Sequence, residues 1–547
     1  MTAAELEFGG GTFTRISMGV PLPEKPMRSL IPYRVATPIG NHPIVGHFDP
    51  EIRNRLHSIL STTDWSHITV CRLGYYGEGP ERSPATILIG VRPNTVDLAQ
   101  ASELLRSAAD FVYQFSELRD VAIEIIESVV NTSASDSSTA PALDPIWDAP
   151  FGYKFNEAFC PQPVIGASIG VSRSTKSGTL GGYLKISTAT KSRYVALTCH
   201  HVLSDGETAI SPLAIRRPAV VCPPNEDMDT WKTTIAEHIE GTLNEPPLPW
   251  LRFKRMVDKE IEENENLELS PAPKAERALS KANLEQLNRL ERALEDMEKQ
   301  KTEVTDFLND FAELYCTSGL RVSSDGWILD WGLAGLLPSR VGSFESLSSA
   351  LSYDAIIEIR SRQRNVWPLR DKGGISSLDE LITGTSPGEK TTHCNKNAVF
   401  KCGQSTGKTR GELNGIHSSV QLRYKVQGSS DVTITGKALV VVSPPKLPQR
   451  RSSVRPGTWI AFSEVGDSGS LVFDYQGKAL GLYFGGQGHT NDYKVTPPVE
   501  VSSVDGIYFV APIVPILDSI QTTVQDDPFF EGLPVGVEIL WGKPRPD

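Results

Sequence analysis

The stretch that decides the fold is Gly466-Asp467-Ser468-Gly469-Ser470. It runs straight into Leu471-Val472-Phe473-Asp474-Tyr475 and then into Ala479-Leu480-Gly481-Leu482-Tyr483-Phe484-Gly485-Gly486. A serine flanked by glycines on a tight turn presents its hydroxyl and frees the N–H groups of its neighbours. Here the N–H groups of Gly466 and Ser468 are the candidates to hold an oxyanion formed in acyl transfer. The Asp467 carboxylate is placed to lock the loop. An ordinary polar turn between two strands is the competing reading. The apolar runs that follow are short, rich in β-branched and aromatic residues and bounded by glycine, as strands are.

A serine hydroxyl is a poor nucleophile near neutral pH and needs a base within hydrogen-bond reach. Residues 194–206 read YVALTCHHVLSDG, a strand that ends at Thr198 and is followed by His200 and His201. His201 is the candidate base; a structural histidine at a strand end is the alternative. Residues 326–336, GWILDWGLAGL, set Asp330 inside an apolar run. A buried carboxylate is costly unless paired. An imidazole N–H is a suitable partner, and the pair would orient the base and stabilise its protonated form. A solvent-facing aspartate at a strand end competes with that reading.

In order, these three segments resemble the trypsin-like (chymotrypsin-fold) serine peptidases. Leu197-Thr198-Cys199-His200-His201 is similar to the family's Leu-Thr-x-x-His pattern and selects His201 over His200. Asp330-Trp331-Gly332-Leu333-Ala334 loosely follows the strand that carries the family's acid, with Asp325 as the fallback. Ser468 stands in the family's nucleophile motif, with Ser470 in place of the last glycine. The resemblance implies a mainly β fold, a double β-barrel with the site at the barrel interface. It also implies a serine endopeptidase with catalytic residues His201, Asp330 and Ser468. It further puts Phe462 at the bottom of a specificity pocket, and Phe484 and Gly486 beside the cleft on a strand that pairs with substrate backbone. No cofactor or metal is expected, and the expected partners are protein or peptide substrates. A catalytically degenerate scaffold that binds or signals is the alternative function. The family's usual disulfides beside the histidine and serine are missing, as in its intracellular members. No N-terminus of the Ile-Val-Gly-Gly kind is evident.

Working outward, residues 1–30 read as a loose tail rich in glycine, proline and hydroxyl side chains. Strand–helix–strand patterning over 31–130 predicts a small α/β sandwich with a regulatory, inhibitory or targeting role. Its helix carries Leu98, Ala101, Leu104, Leu105, Ala108 and Phe111 at helical spacing. The polar run 131–147 reads as a linker. Residues 148–520 form the β-rich unit, and 521–547 a C-terminal tail. Within that unit 251–316 is charged in both signs. Leu287, Leu290, Leu294, Met297, Val304, Leu308, Phe311 and Tyr315 recur at alternating three and four, with Lys301 at the one missing seam position. That spacing predicts a helical coiled-coil insertion, broken into arms by Pro271 and Pro273. It packs on its own body or serves self-association or partner docking.

Two motifs mislead. Residues 403–409, GQSTGKT, look like a phosphate loop, but three residues rather than four separate Gly403 from Gly407, and Cys402 stands where a glycine is needed. A strand and loop is the better reading. Gly-x-Ser-x-Gly of the α/β-hydrolases fails at Ser470, and no helix follows Ser468. The basic run 446–457, with Lys446, Arg450, Arg451 and Arg455, reads as a solvated loop, with attraction of acidic partners or a self-cleavage loop as the alternatives.

The chain has 547 residues, 39% hydrophobic and 22% charged, ordinary values for a globular protein. Its formal charge of −12 argues against a nucleic-acid partner, since a phosphate backbone demands a basic face. No apolar run approaches the ~18–20 residues that span a bilayer. Seven cysteines without a close CxxC pair fit neither a structural zinc site nor a disulfide framework. MTAAELEFGGGTFTRISMGV lacks a basic start followed by an apolar core, so the expected location is intracellular, in the cytoplasm.

Overall fold

A computed structural model describes residues 5–9, 12–18, 34–75, 82–132, 135–136, 159–160, 162–204, 209–214, 217–244, 259, 262–263, 274–341, 347–349, 397–424, 432–443, 461–488 and 504–541. The described chain is mainly β, with two large sheets and few helices.

The N-terminal unit contains β1 (Glu5–Gly9), β2 (Thr12–Met18), β3 (Arg34–Thr37), β4 (Trp65–Tyr75), β5 (Ala85–Val91), helix α1 (Leu98–Val112) and β6 (Ala122–Glu127). Strands β5 and β6 are parallel, joined by α1 as a crossover must join them. The α1 helix starts where the Asp97 carboxylate accepts the Gln100 N–H at 2.8 Å. Strand β5 is buried along its whole length. Ile87, Ile89 and Val91 face the helices, while Leu88 faces the rest of the molecule. Burial on both faces is why it reads as an unbroken apolar run. Residues 1–30 differ from the expected tail, since β1 and β2 form a hairpin and β2 pairs with β6. The buried Ile16 anchors that hairpin.

Two short strands follow, β7 (Val129–Thr132) and β8 (Ser135–Asp136), so the start of the expected linker is strand. The first body sheet comprises β9 (Ser168–Val171), β10 (Lys176–Thr179), β11 (Gly182–Ser187), β12 (Ser192–Thr198), β13 (Ala219–Val221), β14 (Asp310–Thr317) and β17 (Gly332–Leu336). Helix α2 (His200–Leu203) follows β12, and the small pair β15 (Arg321–Val322) and β16 (Ile328–Leu329) precedes β17. The sheet runs β11-β12-β17-β14-β13-β9-β10. Strands β10 and β11 lie far apart along this order, each beside an end strand of the sheet (β8 and Gly536–Ile539), yet are consecutive in the chain, so the ribbon curls back on itself.

The second body sheet contains β18 (Ala398–Gly403), β19 (Gly407–Leu413), β20 (Ser418–Tyr424), β21 (Val432–Val442), β22 (Leu471–Phe473), β23 (Ala479–Gly488), β24 (Val504–Asp505) and β25 (Ile507–Pro512). Antiparallel pairings run β18-β19-β21-β25-β23-β22 and return to β18. Strand β19 alternates buried and half-buried residues, as a strand with one inward face does. GQSTGKT is the tip of the β18–β19 hairpin, with Gly403 opposite Gly407. The N-terminal unit is bonded to this sheet: β4 pairs with β20, and β3 with β24.

The insertion departs from expectation in two ways. Helix α3 (Asn225–Asn244) packs against α4 (Lys274–Asp306) through Met228, Trp231, Ile235, Ile239 and Val304, with Leu294 and Met297 beside them. The first arm therefore lies before 251. The second difference is at 310–316, where Phe311 and Tyr315 lie on β14 rather than on a helix. A run with Phe311, Ala312, Leu314, Tyr315 and Cys316 all buried fits a strand between β13 and β17 better than one helical stripe. Pro271, Pro273 and the basic run 446–457 lie outside the described residues. At the C-terminus, helix α5 (Ile513–Val524) and β26 (Gly536–Ile539) replace the expected tail from 521. Strand β26 pairs with β11, and Phe530, Val535 and Ile539 join the core. No helix among the described residues is long and apolar enough to cross a membrane.

Candidate active site

His201 sits in α2, the single turn that follows β12, with Cys199 at its N-cap. Asp330 lies between β16 and β17, the strand that pairs with β12. That pairing brings residues far apart in sequence side by side. The His201 Nδ1 lies 2.5 Å from Asp330 Oδ2, and the His201 backbone N–H donates to Oδ1 at 3.1 Å. Asp330 is fully buried, whereas the fallback Asp325 is exposed. Burial alone would push the Asp330 carboxyl up, but the His201 charge and hydrogen bonds outweigh it and hold the group below its ordinary value. Among the described residues the buried His201 Nε2 has no hydrogen-bond partner.

Ser468 comes from the other sheet, on the turn before β22. The neighbouring Gly469 seats this turn against the end of β12. A Cβ on Gly469 would lie 2.2 Å from Thr198 Oγ1 and 3.2 Å from Cys199 N, and its φ is +94°. Only glycine satisfies both constraints. The Gly469 N–H and the Cys199 thiol both donate to the Tyr483 carbonyl, at 2.9 and 3.3 Å. Ser468 O accepts from the Thr179 N–H at 2.7 Å. Thr198 Oγ1 in turn donates to the Thr179 carbonyl at 2.8 Å, so Thr179 and Tyr483 tie the serine turn to the strand that leads to His201. The Ser468 hydroxyl donates to the Phe484 carbonyl at 3.2 Å. Within the turn, the N–H groups of Asp467, Gly469 and Ser470 have backbone acceptors. Among the described residues those of Gly466 and Ser468 have none.

The Asp467 side chain holds the turn from behind. It is fully buried and paired with the fully buried Lys401 Nζ at 2.8 Å. It also accepts from Ser405 N at 2.9 Å, Thr406 N at 3.2 Å, Thr406 Oγ1 at 2.6 Å and Glu464 N at 3.1 Å. The GQSTGKT tip is therefore an anion cradle whose anion is the chain's own carboxylate. Sequence reasoning missed Lys401. Its signal was a lone lysine inside the apolar strand Ala398-Val399-Phe400-Lys401-Cys402.

The remaining expected residues divide. Phe484 is buried, stacks on Phe509 and offers its carbonyl to Ser468. Gly486 is on β23, paired with Asn131 of β7. Phe462 is fully buried in a cluster with Tyr483 and Tyr508. Cys199, His201 and Asp330 also bring three ligand-type atoms within 4.8 Å of one another. These donors are turned inward: both Asp330 oxygens serve His201, and the Cys199 thiol serves Tyr483. Burial, then the Asp330 charge, push that thiol well above its usual range, which disfavours the thiolate a metal requires.

No protein-family model matches the sequence, and no curated protein matches it. Among solved structures the chain resembles one described as "A glutamic acid specific serine protease utilizes a novel histidine triad in substrate binding". The superposition has a TM-score of 0.26 and 9% identity, covering 65% of this chain and 97% of that one. The likeness is distant, and function has to be read from this chain's own residues.

Proposed function

We propose that the protein is a serine endopeptidase of the trypsin-like kind, with the two curled sheets as its two barrels. Ser468 is the nucleophile, His201 the general base and Asp330 the residue that orients it. The observation that carries this reading is the asymmetry of His201. Its Nδ1 is committed to a buried carboxylate, while its buried Nε2 has no hydrogen-bond partner among the described residues. Asp330 fixes the proton on Nδ1 and leaves Nε2 as the acceptor. Rotation of the Ser468 hydroxyl away from Phe484 O delivers its proton to that acceptor. The Gly466 and Ser468 N–H groups then hold the oxyanion of the tetrahedral intermediate. Departure of the amine leaves an ester on Ser468, which water hydrolyses through the same histidine.

A scaffold kept only for binding has no use for a buried aspartate facing an imidazole, so the same asymmetry weighs against a degenerate protein. The expected result is that a fluorophosphonate probe labels the wild-type chain once and that Ser468→Ala abolishes labelling while the melting temperature is kept. Equal labelling of the variant would remove the nucleophile.

A further inference from the structure

Between Val465 and Gly469 the serine turn is a run of four peptide planes, all of them trans. In a trans plane the C=O of one residue and the N–H of the next point in opposite directions. A donor that grips the oxygen therefore sets the direction of the N–H. The four planes alternate in what grips them. The Gly466 and Ser468 carbonyls accept from Thr179, through its hydroxyl at 3.0 Å and its N–H at 2.7 Å. The N–H groups of those two planes, on Asp467 and Gly469, are engaged by Glu464 O at 3.2 Å and Tyr483 O at 2.9 Å. The other two planes carry the candidate oxyanion donors, the N–H groups of Gly466 and Ser468. Each has its oxygen held by a serine hydroxyl. Ser405 Oγ donates to Val465 O at 2.5 Å, and Ser470 Oγ donates to Asp467 O at 2.6 Å.

Both serines stand where the motif reading left a residue without a role. Ser405 belongs to the GQSTGKT tip. Its own N–H already binds the Asp467 carboxylate at 2.9 Å, so its hydroxyl adds a second, separate contact to the turn. The tip closes directly on that turn. A Cβ on Gly466, whose φ is +99°, would lie 2.4 Å from Ser405 Oγ. Ser470 replaces the last glycine of the nucleophile motif and is fully buried. A buried hydroxyl is costly unless bonded, and its acceptor is the Asp467 carbonyl. The two clamps are unequal. Asp467 O also accepts the Ser470 N–H at 3.1 Å, so that plane keeps a donor if the hydroxyl is lost. Among the described residues Val465 O has no other donor.

We infer that Ser405 and Ser470 are positioning residues, whose hydroxyls aim the Gly466 and Ser468 N–H groups at the oxyanion. This deepens the serine-peptidase reading above and rests on it. Neither hydroxyl touches the reacting atoms; each acts through one peptide plane. A plane is polarised at both ends, so negative charge that gathers at the N–H also tightens the hydroxyl bond to the C=O. The clamps therefore grip harder in the tetrahedral state than before it, which is the condition for lowering a barrier. A plane that has lost its clamp swings and gives up part of that gain.

The test is the rate of fluorophosphonate labelling of the full chain across probe concentrations and pH. It compares wild type, Ser405→Ala, Ser405→Thr and Ser470→Ala, with melting temperatures in parallel. Ser405→Ala is expected to lower the limiting rate about tenfold, the worth of one hydrogen bond. Ser470→Ala is expected to lower it about two- to threefold, because the Ser470 N–H remains. The probe concentration that gives half the limiting rate should stay at the wild-type value, as should the shape of the pH profile, since His201 and Asp330 are untouched. Ser405→Thr keeps the hydroxyl and should restore the rate. Wild-type limiting rates in both alanine variants overturn the inference and leave Ser468 standing as nucleophile. A slow Ser405→Ala that Ser405→Thr does not restore, or whose pH profile moves, also overturns it, because the loss then lies in the fold or in the base. A wild-type chain that does not label removes the peptidase reading and this inference together.

Discussion

Asp330→Asn is expected to slow fluorophosphonate labelling of Ser468 by about 10³–10⁴-fold, the scale on which a wrong histidine tautomer lowers turnover in triads of this design. The carboxylate accepts two hydrogen bonds from one residue, the His201 backbone N–H and Nδ1. An asparagine oxygen keeps one, and its NH₂ then faces the other donor. The ring relieves that clash by moving its proton to Nε2, which cannot take a proton from serine. Because His201 and its interactions hold the folded-state pKa of Asp330 below its ordinary value despite burial, its contribution to stability is present above the unfolded-state pKa of about 3.9. It is lost as pH falls through the lowered value. The melting difference between wild type and Asp330→Asn should accordingly shrink as pH drops below about 4. A labelling rate within tenfold of wild type at pH 7 would show that Asp330 does not set the tautomer.

Lys401→Met is expected to destabilise the fold by about 3–5 kcal/mol, the cost of removing one partner of a buried ion pair. Lys401 Nζ bonds Asp467 Oδ2 and Thr406 Oγ1 at 2.8 and 2.9 Å, and both charged side chains are out of solvent. Methionine fills much of the lysine volume, so the loss is electrostatic more than steric. The Asp467 charge keeps its backbone donors but loses its counter-charge, and the easiest relief is movement of the serine turn. Such a movement displaces the Gly466 and Ser468 N–H groups, and labelling should fall by at least about 10². The double variant Lys401→Met with Asp467→Asn removes the stranded charge and should regain part of the stability, since the asparagine NH₂ then faces either the Ser405 and Thr406 N–H groups or that of Glu464. Denaturant unfolding of the two singles and the double measures this. A Lys401→Met single as stable as wild type would mean the pair does not hold the turn.

The residues legible in the sequence were those whose chemistry leaves a local mark. Gly466 to Ser470 sit on the turn before β22, and His201 follows the strand that ends at Thr198. Asp330 faces His201, as its apolar setting demanded. Lys401 was not found, because its partner is 66 residues away and a single lysine in a strand usually faces water. The 310–316 run misled because five buried residues in seven fit a helix stripe and a two-faced strand almost equally. The start of the 131–147 run read as a linker because residues 131–132 and 135–136 pair through backbone, and a pairing made by N–H and C=O groups has no side-chain signature.

The convergence of His201, Asp330 and Ser468 is tested most directly by a crystal structure of the fluorophosphonate adduct. The account predicts phosphorus bonded to Ser468 Oγ and the phosphonyl oxygen about 2.7–3.1 Å from the N–H groups of Gly466 and Ser468. It also predicts His201 Nε2 within about 2.6–3.2 Å of an adduct oxygen. An adduct on another residue, or an imidazole turned away from a modified Ser468, would contradict it.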